Sequence, residues 1–176
     1  MGNSGKDIGL MAHLMRRAGF GATRDELESL VEQGYEETVE QLLQPEAQPE
    51  VDDYLLYRYH PIAENPGSIV GWGQTHWLYR MVNTKRPLQE KMALFWHQVF
   101  ATGDAKVESP TVMLDQIKMF RNLGMGNYRE LLVQLARNPA MIFWLDNNEN
   151  HREAPNENWG RELLELQVVE HRPDPG

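Results

Sequence analysis

Two stretches of this 176-residue sequence carry side chains at spacings that chemistry can use. The first is Phe95-Trp96-His97. An imidazole changes charge near neutral pH, so His97 suits a general base or a metal ligand. A core histidine bonded to a backbone carbonyl or a buried carboxylate is the competing reading. The second stretch runs from Asn156 to Leu166. At 100° per residue, Glu157, Arg161 and Glu165 fall on one helical face, Trp159, Leu163 and Leu166 on another, and Glu162 is offset. The charged face reads either as a ladder of i,i+4 ion pairs, worth a few tenths of a kcal/mol each, or as an Arg–carboxylate network shaping a polar site. The catalytic candidates are therefore His97, Glu162 and Arg161, and the binding candidates are Asn156, Glu157, Glu165 and Trp96. A divalent metal, if one is held, would take His97, Glu157 and Glu162, although no compact Glu-x-x-His spacing supports it. The sequence points to no particular cofactor.

These groups must be positioned by helices. Apolar residues recur mostly at spacings of three and four, the helical period, without convincing strand alternation. The spacing predicts an all-α, irregular domain of about eight to nine helices. The first spans Ile8–Arg17, with Leu10, Met11, Leu14 and Met15 as its buried stripe, and Gly19-Phe20-Gly21 breaks it. Thr23-Arg24-Asp25-Glu26 fits a capping box that starts the second helix, and Gly34 stops it. A third helix covers Tyr35–Leu43 with Val39, Leu42 and Leu43 inward. Val51–Tyr59 reads as a short helix carrying Tyr54, Leu55 and Tyr59. Pro61–Gly67 reads as a loop, and Ile69–Asn83 as a helix anchored by Trp72, Trp77, Leu78 and Met81.

Pro87 suits the first turn of the next helix, since it has no N–H to lose there. That helix runs to about Ala101. Leu88, Met92, Phe95, Trp96 and Val99 form one stripe, and Glu90, Leu94, His97 and Ala101 roughly the opposite one. A helix apolar on nearly all sides is buried between partners. Glu90 and His97 are about 10 Å apart along its axis, too far to touch. Ser109-Pro110 starts a helix to Leu123, Asn127 starts another, Ala140–Leu145 is a short apolar turn, and a last helix begins near Pro155. Asp146–Asn150 offers oxygen ligands but lacks the glycine and terminal glutamate of a calcium loop, and reads as a polar turn.

The composition excludes several classes. There is no cysteine, hence no disulfide, thiolate metal site or cysteine nucleophile. Net charge is −9, which argues against broad nucleic-acid binding. Residues 25–53 hold eleven acids, read as a solvated face, whereas residues 77–138 hold nine bases and five acids. No apolar run reaches the ~18 residues of a membrane span. No signal peptide is visible, which favours a cytoplasmic setting. Phosphate-cradling glycine loops, serine elbows and dinucleotide fingerprints are absent.

Four blocks carry a resemblance: Ala12–Thr23, Lys91–Thr102, Asn138–Asn147 and Asn156–Leu166. In this order they resemble the bacterial domain-of-unknown-function family numbered 1800, over nearly the whole chain to Leu166. The resemblance implies no nameable activity. It draws attention to His97, Asn156, Glu157, Arg161, Glu162 and Glu165, which fall inside the motifs. Family members run longer, and the sequence after Leu166 departs from their pattern. The resemblance therefore implies a helical domain over 1–166 and a divergent, disordered or truncated tail over 167–176.

Two functions follow as expectations. One is a helical scaffold or interaction module within a larger protein or assembly, meeting a protein partner or a second copy through apolar surface near the final helix. The other is a metal-dependent or acid–base hydrolytic enzyme, with His97 and the Glu157/Glu162/Glu165 helix lining one cleft.

Overall fold

The computed structural model describes residues 4–59 and 70–169. Among them the chain forms eleven α-helices and no strand, so the protein is all-α. In order they are α1 (Ser4–Arg17), α2 (Arg24–Gln33), α3 (Tyr35–Leu43), α4 (Tyr54–Tyr59), α5 (Val70–Asn83), α6 (Pro87–Val99), α7 (Asp104–Val107), α8 (Pro110–Leu123), α9 (Tyr128–Arg137), α10 (Pro139–Trp144) and α11 (Asn158–Val169). The expected loop Pro61–Gly67, the side chains of Leu55, Trp72 and Leu166, and residues 170–176 lie outside what is described.

Local chemistry sets most of these boundaries. At the start of α2 the Glu26 N–H donates to Thr23 Oγ1 at 3.4 Å, and the Thr23 N–H donates to Glu26 Oε2 at 2.8 Å. This reciprocal pair satisfies two donors that a helix start leaves free. Gly34, at φ +109°, separates α2 from α3 in a conformation L side chains rarely adopt. Ser109 caps α8 by accepting from the Val112 N–H at 3.3 Å, and Pro110 occupies its first turn. At Asn127 the cap is one-sided: its side chain accepts from the Glu130 N–H at 3.2 Å.

Two apolar clusters hold the helices. One joins Met11 and Met15 of α1 to Leu27 of α2 and Leu42 of α3, with Leu88 of α6 against it. Gly19 brings the end of α1 close to α6, for a Cβ there would sit 2.9 Å from Pro87 Cβ. The second cluster gathers Ala93, Phe100, Phe120, Leu131, Leu135 and Met141 from α6, α8, α9 and α10 and the residue following α6. The most extensive helix pairing is α6 on α8.

Several expected stripes are rotated. Leu10, Leu43, Leu78 and Phe95 are exposed. The buried positions of α6 are Gln89, Glu90 and Ala93, and Phe100 follows at its end. The cause is a charge: Glu90 must face Arg121 on α8, and Phe95 lies about 140° around the helix from it. Among the described side chains of α5 the buried one is His76, at 3% exposure, whereas Leu78, one of the expected anchors, is exposed. α6 ends at Val99, before the expected Ala101, and the short α7 follows. α11 begins at Asn158, three residues after Pro155, because Asn156 is held in the preceding loop by the bonds described below.

Candidate functional site

The α6–α8 contact buries an ion pair. Glu90 is 1% exposed and Arg121 8%. Arg121 Nε donates to Glu90 Oε1, and Nη2 donates to Oε2 at 3.3 Å. Trp77 Nε1 of α5 adds a third donor to Oε2 at 3.1 Å. A carboxylate out of water needs such compensation, and the planar guanidinium supplies two parallel bonds. Trp77 also packs edge-on against His97, with ring centroids 5.3 Å apart and planes at 81°. The indole thus touches both Glu90 and His97, which are too far apart along α6 to meet. Burial pushes the His97 pKa below 6.5, favouring the neutral ring at neutral pH. Its Nδ1 is buried without a hydrogen-bond partner.

In front of this network lies a cavity of about 430 Å³. The 50–53 segment and α4 form one wall, α5 a second and α8 a third. Arg80 crosses between the first two, donating through Nη2 to Asp53 Oδ2 at 2.7 Å and Glu50 Oε1 at 3.4 Å. Tyr57 meets His76 edge to face, with centroids 5.1 Å apart. Sequence reasoning passed over Asp53, Arg80 and Arg121. A signal existed for Arg121: it follows Phe120 on the buried face of α8, where a cation needs a buried acid, and Glu90 sat in a helix apolar nearly all round.

The sequence-derived candidates separate. Trp96 belongs to the core: Nε1 donates to the Gly124 carbonyl at 2.8 Å, and its ring stacks between Phe100 and Tyr128, at centroid distances of 5.8 and 5.6 Å. Asn156, Glu157, Arg161 and Glu165 do share a hollow, of about 810 Å³, together with Trp159 and Leu164. Asn156 acts there as a pin. Its Nδ2 donates to the carbonyls of Leu145 and Asp146, both at 2.9 Å, and its Oδ1 accepts from the Asn158 N–H at 2.9 Å. Arg161 Nη2 donates to Asn158 Oδ1 at 2.7 Å. No ion pair joins it to Glu157 or Glu165, so the ladder of the first reading does not form. Leu164 is 61% exposed.

Glu162 turns elsewhere, to a cleft of about 60 Å³ beside Phe100 and Trp144. His97 lines neither this cleft nor the hollow. Among the described residues no three His, Asp or Glu side chains come together to hold a metal ion, so His97, Glu157 and Glu162 are not gathered into a metal centre. No described helix is long and apolar enough to cross a membrane.

No curated protein and no solved structure matches the chain. The sequence pattern of the family described as Protein of unknown function (DUF1800) does match, over residues 13–169. With most of its length inside that match, the chain belongs to the DUF1800 family.

Proposed function

We propose that the chain is a helical interaction module whose docking face is the outer side of α11, and that it docks there on a second copy of itself. The observation that carries this is Leu164, a large apolar side chain largely open to solvent in a hollow also lined by Glu157, Arg161 and Glu165, which form no ion pairs. An apolar centre with a charged rim is the anatomy of an association site. The charges fit self-pairing. In an antiparallel arrangement about a two-fold axis near Leu163 and Leu164, Arg161 of each copy faces Glu165 of the other, twice over. The two Leu164 side chains then meet near the axis, as an isologous contact requires. Gly160 presents no side chain on the same face and lets the partner helix come close.

The acid–base alternative needs His97 and Glu162 on one cleft, and the separate surroundings of the two side chains favour the docking reading.

Sedimentation equilibrium on the purified chain tests the proposal. Glu165→Arg alone and Arg161→Glu alone each place like charges opposite one another, and each is expected to weaken the dimer at least about tenfold. Glu165→Arg combined with Arg161→Glu restores opposite charges and is expected to restore the dimer. A monomer at every concentration, or a dimer indifferent to the single exchanges, sinks the proposal.

A further inference from the structure

An exposed arginine is a poor docking group unless something holds it. Its long side chain loses more rotamer freedom on association than most, and that loss weakens binding. Arg161 is exposed, yet its guanidinium is held. Its Nη2 donates to Asn158 Oδ1, one turn earlier on α11, at 2.7 Å.

Asn158 is gripped in its turn. It is half-buried, its Nδ2 donates to the Leu145 carbonyl at 3.3 Å, and its N–H donates to Asn156 Oδ1 at 2.9 Å. The same Leu145 carbonyl accepts from Asn156 Nδ2 at 2.9 Å, so both of its lone pairs are used. The residues on either side of Leu145 are clamped as well. Lys106 of α7 donates through Nζ to the Trp144 carbonyl at 2.7 Å and to Asp146 Oδ2 at 2.8 Å. Hydrogen bonds thus link α7, the turn at Leu145, Asn158 and the guanidinium of Arg161.

This hold leaves the cation usable. Arg161 makes no other hydrogen bond among the described residues, so Nε, Nη1 and the second hydrogen of Nη2 stay available. They suffice for one bidentate grip on a carboxylate.

We infer that Asn158 is a positioning residue for docking: it presets the Arg161 guanidinium on the outer side of α11, so that Glu165 of a second copy meets a donor already in place. This role rests on the docking reading of α11. Fixing a group in its bound geometry beforehand strengthens association by removing an ordering cost. An asparagine that only stiffened the start of α11 would act through the fold, and its effect would not depend on Arg161.

Sedimentation equilibrium on the full chain, Asn158→Ala, Arg161→Met and the double variant separates the two roles. Asn158→Ala leaves the Asn156 bonds to Leu145, Asp146 and the backbone N–H at 158 in place, so α11 stays folded, as circular dichroism will verify. It is expected to weaken the dimer about threefold to tenfold. In the Arg161→Met background no guanidinium remains to be held, and the same change is expected to alter affinity by less than about twofold. Nitrogen-15 relaxation of the Arg161 Nε–H group, at a concentration where the chain is monomeric, is expected to show a restrained group that becomes mobile in Asn158→Ala. A mobile Arg161 in the unsubstituted chain, an Asn158→Ala dimer as tight as the parent, or an equal loss in the Arg161→Met background each overturns the role of Asn158. In those cases docking through α11 still stands if the charge exchanges at 161 and 165 act as expected. A chain that stays monomeric at every concentration overturns both.

Discussion

Replacing Arg121 by methionine tests whether the α6–α8 pairing rests on charge compensation. The substitution keeps an unbranched side chain of similar length and removes both guanidinium bonds to Glu90. Trp77 Nε1, at 3.1 Å, remains the only donor to a carboxylate that is 1% exposed. Stripping one partner from a buried ion pair costs about 3–5 kcal/mol. A domain of this size has about 5–15 kcal/mol in all. With a urea dependence of about 2 kcal/mol per molar, a loss near 4 kcal/mol moves the unfolding midpoint down by about 2 M. Urea titration followed by far-ultraviolet circular dichroism measures the shift directly. The double substitution Glu90→Leu with Arg121→Met is the control. It removes both charges, so it is expected to recover most of the loss, since apolar replacement of a buried pair is often neutral or better. A single-variant shift below about 0.5 M, corresponding to about 1 kcal/mol, would refute the reasoning, and so would a double variant as unstable as the single one.

Other consequences can be measured in the same way. Burial lowers the pKa of His97, so its contribution to stability is present above the unfolded value near 6.5 and is lost as pH falls below it. The stability difference between the protein and a His97→Gln variant is accordingly expected to change between pH 7 and pH 5, and proton NMR should show the His97 ring titrating below 6.5; a ring titrating at or above 6.5 contradicts the burial argument. Gly124→Ala would drive a methyl to 2.6 Å from Trp96 Cδ1, with an expected loss of about 1–3 kcal/mol in thermal or urea unfolding and altered tryptophan fluorescence. Thr23→Ala removes half of the reciprocal cap on α2 and is expected to cost about 1 kcal/mol. The Glu26 pKa is lowered, chiefly by the Thr23 backbone N–H and then by its hydroxyl, so the carboxylate's share of this cap is lost as pH falls below 4.5.

The sequence is most legible where local chemistry decides. Gly34, Ser109-Pro110 and Gly124 mark helix ends correctly because caps and φ preferences act within a few residues. It is least legible in the rotation of α5 and α6. The hydrophobic pattern of α6 admits several faces, and the choice is made by Arg121, 31 positions away from Glu90 in the chain. No window of a dozen residues contains that information. The candidate site divides in the same way. Asn156, Glu157, Arg161 and Glu165 lie within one short stretch, and they line one hollow. The cavity beside α8 draws on three separate segments, so Asp53, Arg80 and Lys118 had no shared signature to find.

The buried polar contacts of α8 also bear on how this sequence can change over time. Glu90 meets Arg121 on one turn of α8, and Thr102 Oγ1 donates to Gln116 Oε1 at 2.6 Å on another. Each partner is useful only while the other is present. A lineage cannot drift through apolar residues at one of these positions and adjust the other later, because the intermediate carries a stranded charge or amide in the interior. Positions 90 and 121, and 102 and 116, are therefore expected to be replaced in pairs or left alone, while exposed Phe95 and Leu78, beside them on α6 and α5, are free to vary one at a time.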